Sequence, residues 1–492
     1  MSAPHPLDVA AGHLAEVARA RVLCVGDVMI DRTVEGAVER ISPEAPIPVL
    51  RQEAVRSVPG GAGNVLANLT ALGARASFVG VAGADGEADE LEALLAAAAP
   101  AGQVRLLRDS ARPTTLKTRY VSGNQQLLRV DRERAGPLDA AATGALADAA
   151  VERLAGCDLL VLSDYGKGVV TPATAQTLIG AAKAAGKPVL VDPKGRDFSR
   201  YAGATLLTPN RAELAVAAAA EVGDEAALAE TAAGLRRRVG IDWLLTTLGG
   251  AGMLLEGAVE RHRIPGIRRE VYDVVGAGDT VLAVMAALMA VGTPVPAAAW
   301  LANLAGSVAV GRRGTAAVGD VDLRMALAAQ RGTLHEAKIQ TVAQAERLVA
   351  LARGRGERVG FTNGCFDILH PGHVSLVTQA RAHCDLLVLG LNSDDSVRRL
   401  KGPSRPVNDE RARAHVLAAL SGVDAVVIFD EDTPLELICR LRPDVLVKGA
   451  DYSLDQVVGA AEMRAWGGEV VLAHLVPDVS TTATIARIGR AG

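Results

Sequence analysis

Two short stretches carry residue types whose spacing suits reactions at phosphorus. Asp273 to Asp279 reads Asp-Val-Val-Gly-Ala-Gly-Asp and opens into the apolar run Thr280 to Val291. Gly276, Ala277 and Gly278 ahead of a helix let backbone N–H groups approach an anion, and the helix N-terminus adds partial positive charge. A carboxylate at that edge would repel a phosphate, so Asp279 fits a base that orients and deprotonates an attacking hydroxyl. The same seven residues would also make a tight turn before a core helix. The second stretch follows the apolar run Arg358 to Thr362 and contains Gly364, Cys365, Phe366, Asp367, His370 and His373. The two histidines stand three apart at the mouth of a helix, where both imidazoles and exposed N–H groups can point at one oxyanion. A zinc reading lacks the Glu and the third ligand of His-Glu-x-x-His sites. Two surface histidines are the plain alternative.

The elements that must position the first stretch alternate between strand and helix patterns. Arg21 to Gly26 reads as a buried strand, and Asp27 and Asp31 at its carboxyl end are candidate acceptors for sugar hydroxyls. The prolines of Arg40 to Val49 forbid a helix and suit an edge strand or flap. Gly60, Gly61 and Asn64 lead into the helical pattern Val65 to Leu72. Thr114 to Val130, with Lys117, Arg119 and Arg129, alternates as a strand pair, and with the flap at 33 to 57 it forms a small sheet over a site. From Asp139 the strands Asp158 to Ser163, Pro188 to Val191, Thr205 to Thr208 and Trp243 to Thr247 alternate with helices, the pattern of a parallel sheet. Asp192 and Lys194 follow one strand. Asn210, Arg211, Ala212 and Glu213 follow another; the amide and carboxylate three apart either hold hydrated Mg²⁺ through Glu213 or cap a helix. Thr247 and Gly249 close the strand at 243, where glycines admit a flat or charged ligand.

Bulk composition sets limits on function. Among 492 residues, 49% are hydrophobic but only 3% aromatic, so few platforms exist for stacking bases. Lys and Arg number 52 against 56 Asp and Glu, which leaves no electrostatic footprint for nucleic acid. Five scattered cysteines without Cys-x-x-Cys spacing fit free thiols in the cytoplasm. Met1 to Ala20 lacks an apolar signal core, and Val281 to Val310 is broken by Gly292 to Pro296, so two buried helices fit it better than a membrane span. Periodicity fails near Gln330, giving expected domains at 1–330 and 357–492 with a linker and connecting helix at 331–356. In the later domain Asn392 and Asp394 end a strand, Lys401 offers a mobile cation, and Lys448 to Asp451 end another strand. Ser480, Thr481 and Thr482 open a last helix, where they can take β- and γ-phosphates.

In combination, Gly60-Gly61 to Asn64, Asn210 with Glu213, and Gly276-Ala277-Gly278-Asp279 resemble the ribokinase-like (PfkB) carbohydrate kinases over residues 12 to 330. Val274 departs from that pattern where many members carry Thr. Residues 357 to 490 resemble the His-x-Gly-His nucleotidyltransferases; class I aminoacyl-tRNA synthetases share the motif, but no Lys-Met-Ser-Lys-Ser signature is present. Together with Arg40 to Pro46, the pairing resembles the family of bifunctional heptose kinases and adenylyltransferases of lipopolysaccharide synthesis. The resemblance implies an α/β chain: a ribokinase-like three-layer α/β/α domain with a small β lid, then a Rossmann-like nucleotidyltransferase domain. It also implies that ATP and Mg²⁺ phosphorylate D-glycero-β-D-manno-heptose 7-phosphate at O1. After a separate phosphatase removes the 7-phosphate, AMP is joined to the heptose 1-phosphate. Lys194, Arg119 and Lys117 are candidate partners for the 7-phosphate, and a homodimer through the flap is expected. A cytidylyl- or guanylyltransferase fused to a kinase for another sugar or polyol is the runner-up.

Overall fold

The computed structural model describes residues 5–99, 102–123, 125–269, 271–312, 314–330, 334–450 and 456–474. Two compact units divide the chain, Met1–Asp320 and Val321–Gly492. In the first, short apolar runs closed by Gly or Asp become strands buried on both faces, as a helix-covered parallel sheet demands. Nine strands lie in the spatial order 261–265, 252–256, 243–247, 206–207, 189–192, 159–163, 21–26, 75–83 and 104–109. The seven from Trp243–Thr247 onward are parallel, while 252–256 pairs antiparallel with both its neighbours. The apolar region after Asp279 forms two largely buried helices, Ala277–Ala290 and Val295–Ala309, as its broken pattern predicts.

From Arg21–Gly26 the chain builds outward through 75–83 and 104–109, then crosses to the other side with 159–163 and continues to 243–247. The order therefore reverses between 21–26 and 159–163. A crevice opens outside the carboxyl ends of strands at such a reversal, which is where open α/β sheets bind ligands. A second sheet of four strands, ordered 48–61, 28–41, 116–122 and 125–132, is the expected lid. Its strand Val28–Ile41 begins directly after Asp27, which follows the main-sheet strand Arg21–Gly26, so one residue separates the lid from the main sheet.

The second unit has six parallel strands in the order 339–340, 425–429, 386–392, 359–364, 445–449 and 469–473. Here the order reverses about Val359–Gly364, flanked by 386–392 and 445–449. The helix Val342–Gly354, opened by a capping box between Thr341 and Gln344, buries Ala345, Leu348, Val349 and Ala352 against Phe361 and Val388. The segment read as linker and connecting helix thus belongs largely to the core of this unit. The division falls at 320 rather than 330, because Val321 joins the same core and the buried Asp322 pairs with Arg355 at 2.5 Å. Among the described residues no helix is long and apolar enough to cross a membrane.

Candidate active sites

Asp279 lies in the first turn of the helix Ala277–Ala290, buried at the reversal of the first sheet. The chain enters that helix through Gly276 at φ 78°, a left-handed conformation that favours glycine, and a Cβ there would strike Asn64 Nδ2 at 2.7 Å. Asn64 Nδ2 donates to Asp279 Oδ2 at 2.8 Å, and the Tyr165 hydroxyl donates to Oδ1 at 2.7 Å. Asn68 holds the Asn64 amide in that orientation, donating to its Oδ1 at 3.1 Å while accepting from Thr280 and the Val318 amide. Burial pushes the Asp279 carboxyl up to about 6, against the pull of the two donors, and the nearby charge of Asp31 adds to the rise. A carboxylate so placed is ionised at neutral pH yet basic enough to accept a proton.

Around this base the expected residues divide. Asp31 stays at the site, its Oδ1 held by Arg119 at 2.7 Å, with Gly60 and Gly61 on the paired lid strand. Asp27, a candidate for sugar hydroxyls, is engaged by the protein's own backbone. Its carboxylate is buried and accepts the backbone N–H groups of Tyr165, Lys167 and Val169 at 2.8, 2.9 and 3.0 Å, so it anchors that loop. Lys194, a candidate for the sugar phosphate, pairs with Glu213 at 2.7 Å, because its loop lies beside the helix Arg211–Ala218. Lys117 is paired with Asp131 and Glu133.

The helix Arg211–Ala218 opens with a full capping box. Asn210 Oδ1 accepts from the Glu213 amide at 2.9 Å, and Glu213 Oε2 accepts from the Asn210 amide at 3.0 Å. Asn210 also bridges to Thr247, which sets the two beside one another ahead of the turn Gly249–Ala251. Arg211 is turned to the carbonyls of Val222 and Gly223, and Ala212 continues the helix. Tyr165 is a residue of this site that the sequence did not single out. It stands in Asp164-Tyr165-Gly166 just beyond the strand Leu159–Ser163, at the same carboxyl end that marked the other candidates.

In the second unit His370 is the N-cap of the helix Pro371–Arg381, and His373 lies in its first turn. Their rings stack with centroids 3.7 Å apart and planes 21° apart, with Phe366 at 4.9 Å from His373. Gly372 makes room: a Cβ there would meet His370 Nδ1 and Cε1 at 3.1 Å. Both Nδ1 atoms are buried without a hydrogen-bond partner. Burial lowers the proton affinity of each ring, that of His373 to about 4 with the help of His370. Two desolvated nitrogens of this kind are suited to an incoming anion.

Asp367, a candidate for the nucleotide, is engaged within the protein. Its carboxylate is buried against Arg405 and accepts the amides of Val407 and Asn408, so it fixes the 405–408 loop. Arg413, buried and unforeseen, holds the site's floor: Nη1 donates to the carbonyls of Cys365 at 2.6 Å and Asn392 at 2.9 Å, and Nη2 to Asp394 Oδ1 at 2.7 Å. Asp394 is thereby a support for that arginine. Cys365 contacts Asn392 and lies within the fields of Lys401, Arg413 and Lys448 on one side of the balance and of Asp367 on the other. Ser480, Thr481 and Thr482 lie outside the described residues, as does Asp451.

A base at the sheet reversal under a β lid, followed by a paired-histidine site on a parallel sheet, defines a carbohydrate kinase joined to a nucleotidyltransferase. Residues 19–320 match the pfkB family carbohydrate kinase model and residues 361–487 the Cytidylyltransferase-like model. The fold of phosphofructokinase-2 from Escherichia coli superposes with a TM-score of 0.53 at 21% identity, covering 63% of this chain and 99% of that one. The bifunctional protein HldE of Caulobacter vibrioides is 52% identical over 98% of this chain and 100% of its own length. That of Acidiphilium cryptum is 51% identical over 96% of each. The chain belongs to the HldE family of bifunctional proteins. It is a heptose kinase and adenylyltransferase, with ATP as the nucleotide.

Proposed function

We propose that Asp279 takes the proton of the anomeric hydroxyl of D-glycero-β-D-manno-heptose 7-phosphate as O1 attacks the γ-phosphorus of ATP. The products are the 1,7-bisphosphate and ADP. The observation that carries this reading is the buried carboxylate that Asn64 and Tyr165 aim from the mouth of a helix. The N–H groups of Gly276 and Gly278 at the helix start, with that of Ala277, which makes only a long 3.5 Å bond to the Val274 carbonyl, hold the γ-phosphate oxygens as charge develops. Asn210, Glu213, Thr247 and Gly249 line the ATP side, and Asp31 with Arg119 and the Gly60–Gly61 strand orients the sugar.

The residues present suit Mg²⁺. Burial, with the charges of Asp279 and Glu213 added, drives Asp192 well above the ordinary carboxylate range. A cation beside it would restore the ionised form; Asp192, which ends the strand Val189–Asp192 with one oxygen held by Thr208 Oγ1 at 3.2 Å, and Glu213 would hold the ion through its waters. When bound, Mg²⁺ neutralises the β- and γ-phosphate oxygens.

In the second unit an oxygen of heptose 1-phosphate attacks the α-phosphorus of a second ATP, and pyrophosphate leaves. His370 and His373 donate to the phosphate oxygens that gain charge, while Lys401 and Lys448 add to the field. The 7-phosphate must be removed between the two reactions, so a separate phosphatase acts between them. Exposed Val55, Leu128 and Val130 on the lid strands support a homodimer through that sheet, and free ATP as substrate suits the cytoplasm. Phosphorus NMR of the kinase product tests the regiochemistry. The new phosphate should couple to the anomeric proton, and phosphate on any other oxygen would overturn the assignment.

A further inference from the structure

Outside both active sites, one group among the described residues brings three metal-binding atoms together. His335 and Glu336 lie on the short helix Leu334–Ala337 and His415 on the helix Glu410–Ala418, with ligand atoms all within 4.8 Å of one another. The two rings meet edge to face, their centroids 5.9 Å apart. His415 Nδ1 is hydrogen-bonded to the Arg411 carbonyl at 3.0 Å. A carbonyl only accepts, so Nδ1 carries the proton and Nε2 keeps its lone pair. Ligand histidines are oriented by such a partner on the second nitrogen.

We propose that His335, Glu336 and His415 form a site for a divalent transition ion of the zinc class, with solvent in the remaining position. Two imidazole nitrogens and one carboxylate oxygen suit Zn²⁺, Co²⁺ or Ni²⁺ and are a poor match for Mg²⁺, which takes oxygen ligands and keeps its waters. Bonds of roughly 2.0–2.2 Å in tetrahedral geometry put ligand atoms about 3.4 Å apart, within reach of side-chain rotation at this solvent-facing position. The ion would tie the segment leading into the edge strand Ile339–Gln340 to the helix of Arg413, the arginine that braces Cys365, Asn392 and Asp394. The site thus fastens a surface strap to the support of the transferase loops.

Cobalt reports on this directly. The full chain, freed of metal by a chelator and held in excess Mg²⁺, is titrated with Co²⁺. One equivalent should bind with the visible bands of a low-coordinate nitrogen-ligated ion and be displaced by Zn²⁺. His335→Ala and His415→Ala should each abolish the bands, Glu336→Gln should weaken binding by roughly tenfold or more, and His373→Ala should leave it unchanged. Because the three ligands come from two separate helices, failure of one variant to fold leaves the other as the test. The proposal falls if the wild-type chain shows no bands, if they survive in a folded His335→Ala or His415→Ala, or if they vanish in His373→Ala.

Discussion

In the first unit burial raises the proton affinity of Asp279 to about 6, whereas in the second it lowers that of His373 to about 4 and moves His370 the same way. Both sites remove water from an ionisable group, and both make its charged form harder to reach. The consequences differ. A carboxylate made more basic is ready to take a proton, and the scaffold supplies two donors that keep it ionised at neutral pH. The imidazoles are left neutral with unpartnered nitrogens, so their site is completed only when an anion arrives. On the roles proposed for these residues, the kinase site is assembled by the fold, and the transferase site by the fold together with its substrate.

The strongest way to break this comparison is to remove one group from each side. Asp279→Asn should cost roughly 10²- to 10⁴-fold in ADP release from heptose 7-phosphate and leave pyrophosphate release from heptose 1-phosphate unchanged. His373→Ala should do the reverse, losing roughly 10²- to 10³-fold in pyrophosphate release alone. A folded variant that lost both activities would end the independence of the two units.

Stability offers a check on the same carboxylate. Its value is about 6 in the folded chain against roughly 3.9 unfolded, so the folded state binds the proton more tightly. Stability therefore falls as pH rises between these values, and above the upper one the whole cost, roughly 3 kcal/mol, is present. Asp279→Asn has no such charge, so its melting temperature should gain on the parent as pH rises from 4 to 7 and then stay level. A gap that does not change with pH would remove burial as the cause of the shift.

How far the residues announced this arrangement differs between the elements and the contacts. Strands such as Val22–Val25, and the lid with its alternating polar faces, were legible because burial on two faces or on one writes itself into the apolar pattern. Asp279, Asn64, His370 and His373 were legible because glycines before a helix start mark an anion site. Asp27 and Asp367 were not, although each sits where a ligand would. Nothing in the chain near Asp27 says that a loop 138 residues on spends its carboxylate on backbone N–H groups. Arg413 was hidden for a related reason: a lone arginine in a polar helix looks like a solvated one until three carbonyls and one carboxylate converge on it. Tyr165 carried no charge to draw notice, though its place after a strand was a usable signal.

A smaller change sharpens the transferase side. Gly372→Ala puts a methyl group 3.1 Å from His370 Nδ1 and Cε1, so the ring must shift by a few tenths of an ångström. Misplacement on that scale should lower adenylyl transfer by roughly 3- to 10-fold, since about 1 Å can cost 10²-fold. Alanine favours the helix over glycine by roughly 0.5–1 kcal/mol, so thermal stability should hold or rise. Loss of activity without loss of stability would mark the ring stack as functional, and unchanged pyrophosphate release would show that the stack is incidental.

The finest test concerns the prepaid donors of the kinase base. Tyr165→Phe keeps the ring and deletes the hydroxyl that donates to Asp279 Oδ1 at 2.7 Å. That bond favours the carboxylate, so without it the value of about 6 must climb. A hydrogen bond to a charged group is worth roughly 1.5–3 kcal/mol, and one pH unit about 1.4, so the acid limb of kinase turnover should move up by about one to two units. Turnover well above that limb should change little, because the base is ionised there and Asn64 still aims it. The pH profile of adenylyl transfer should not move, since its histidines have no such donor to lose. If the kinase limb stays in place while turnover falls equally at every pH, Tyr165 shapes the cavity without tuning the base. The contrast between a site finished by the fold and one finished by its ligand would then rest on Asn64 alone.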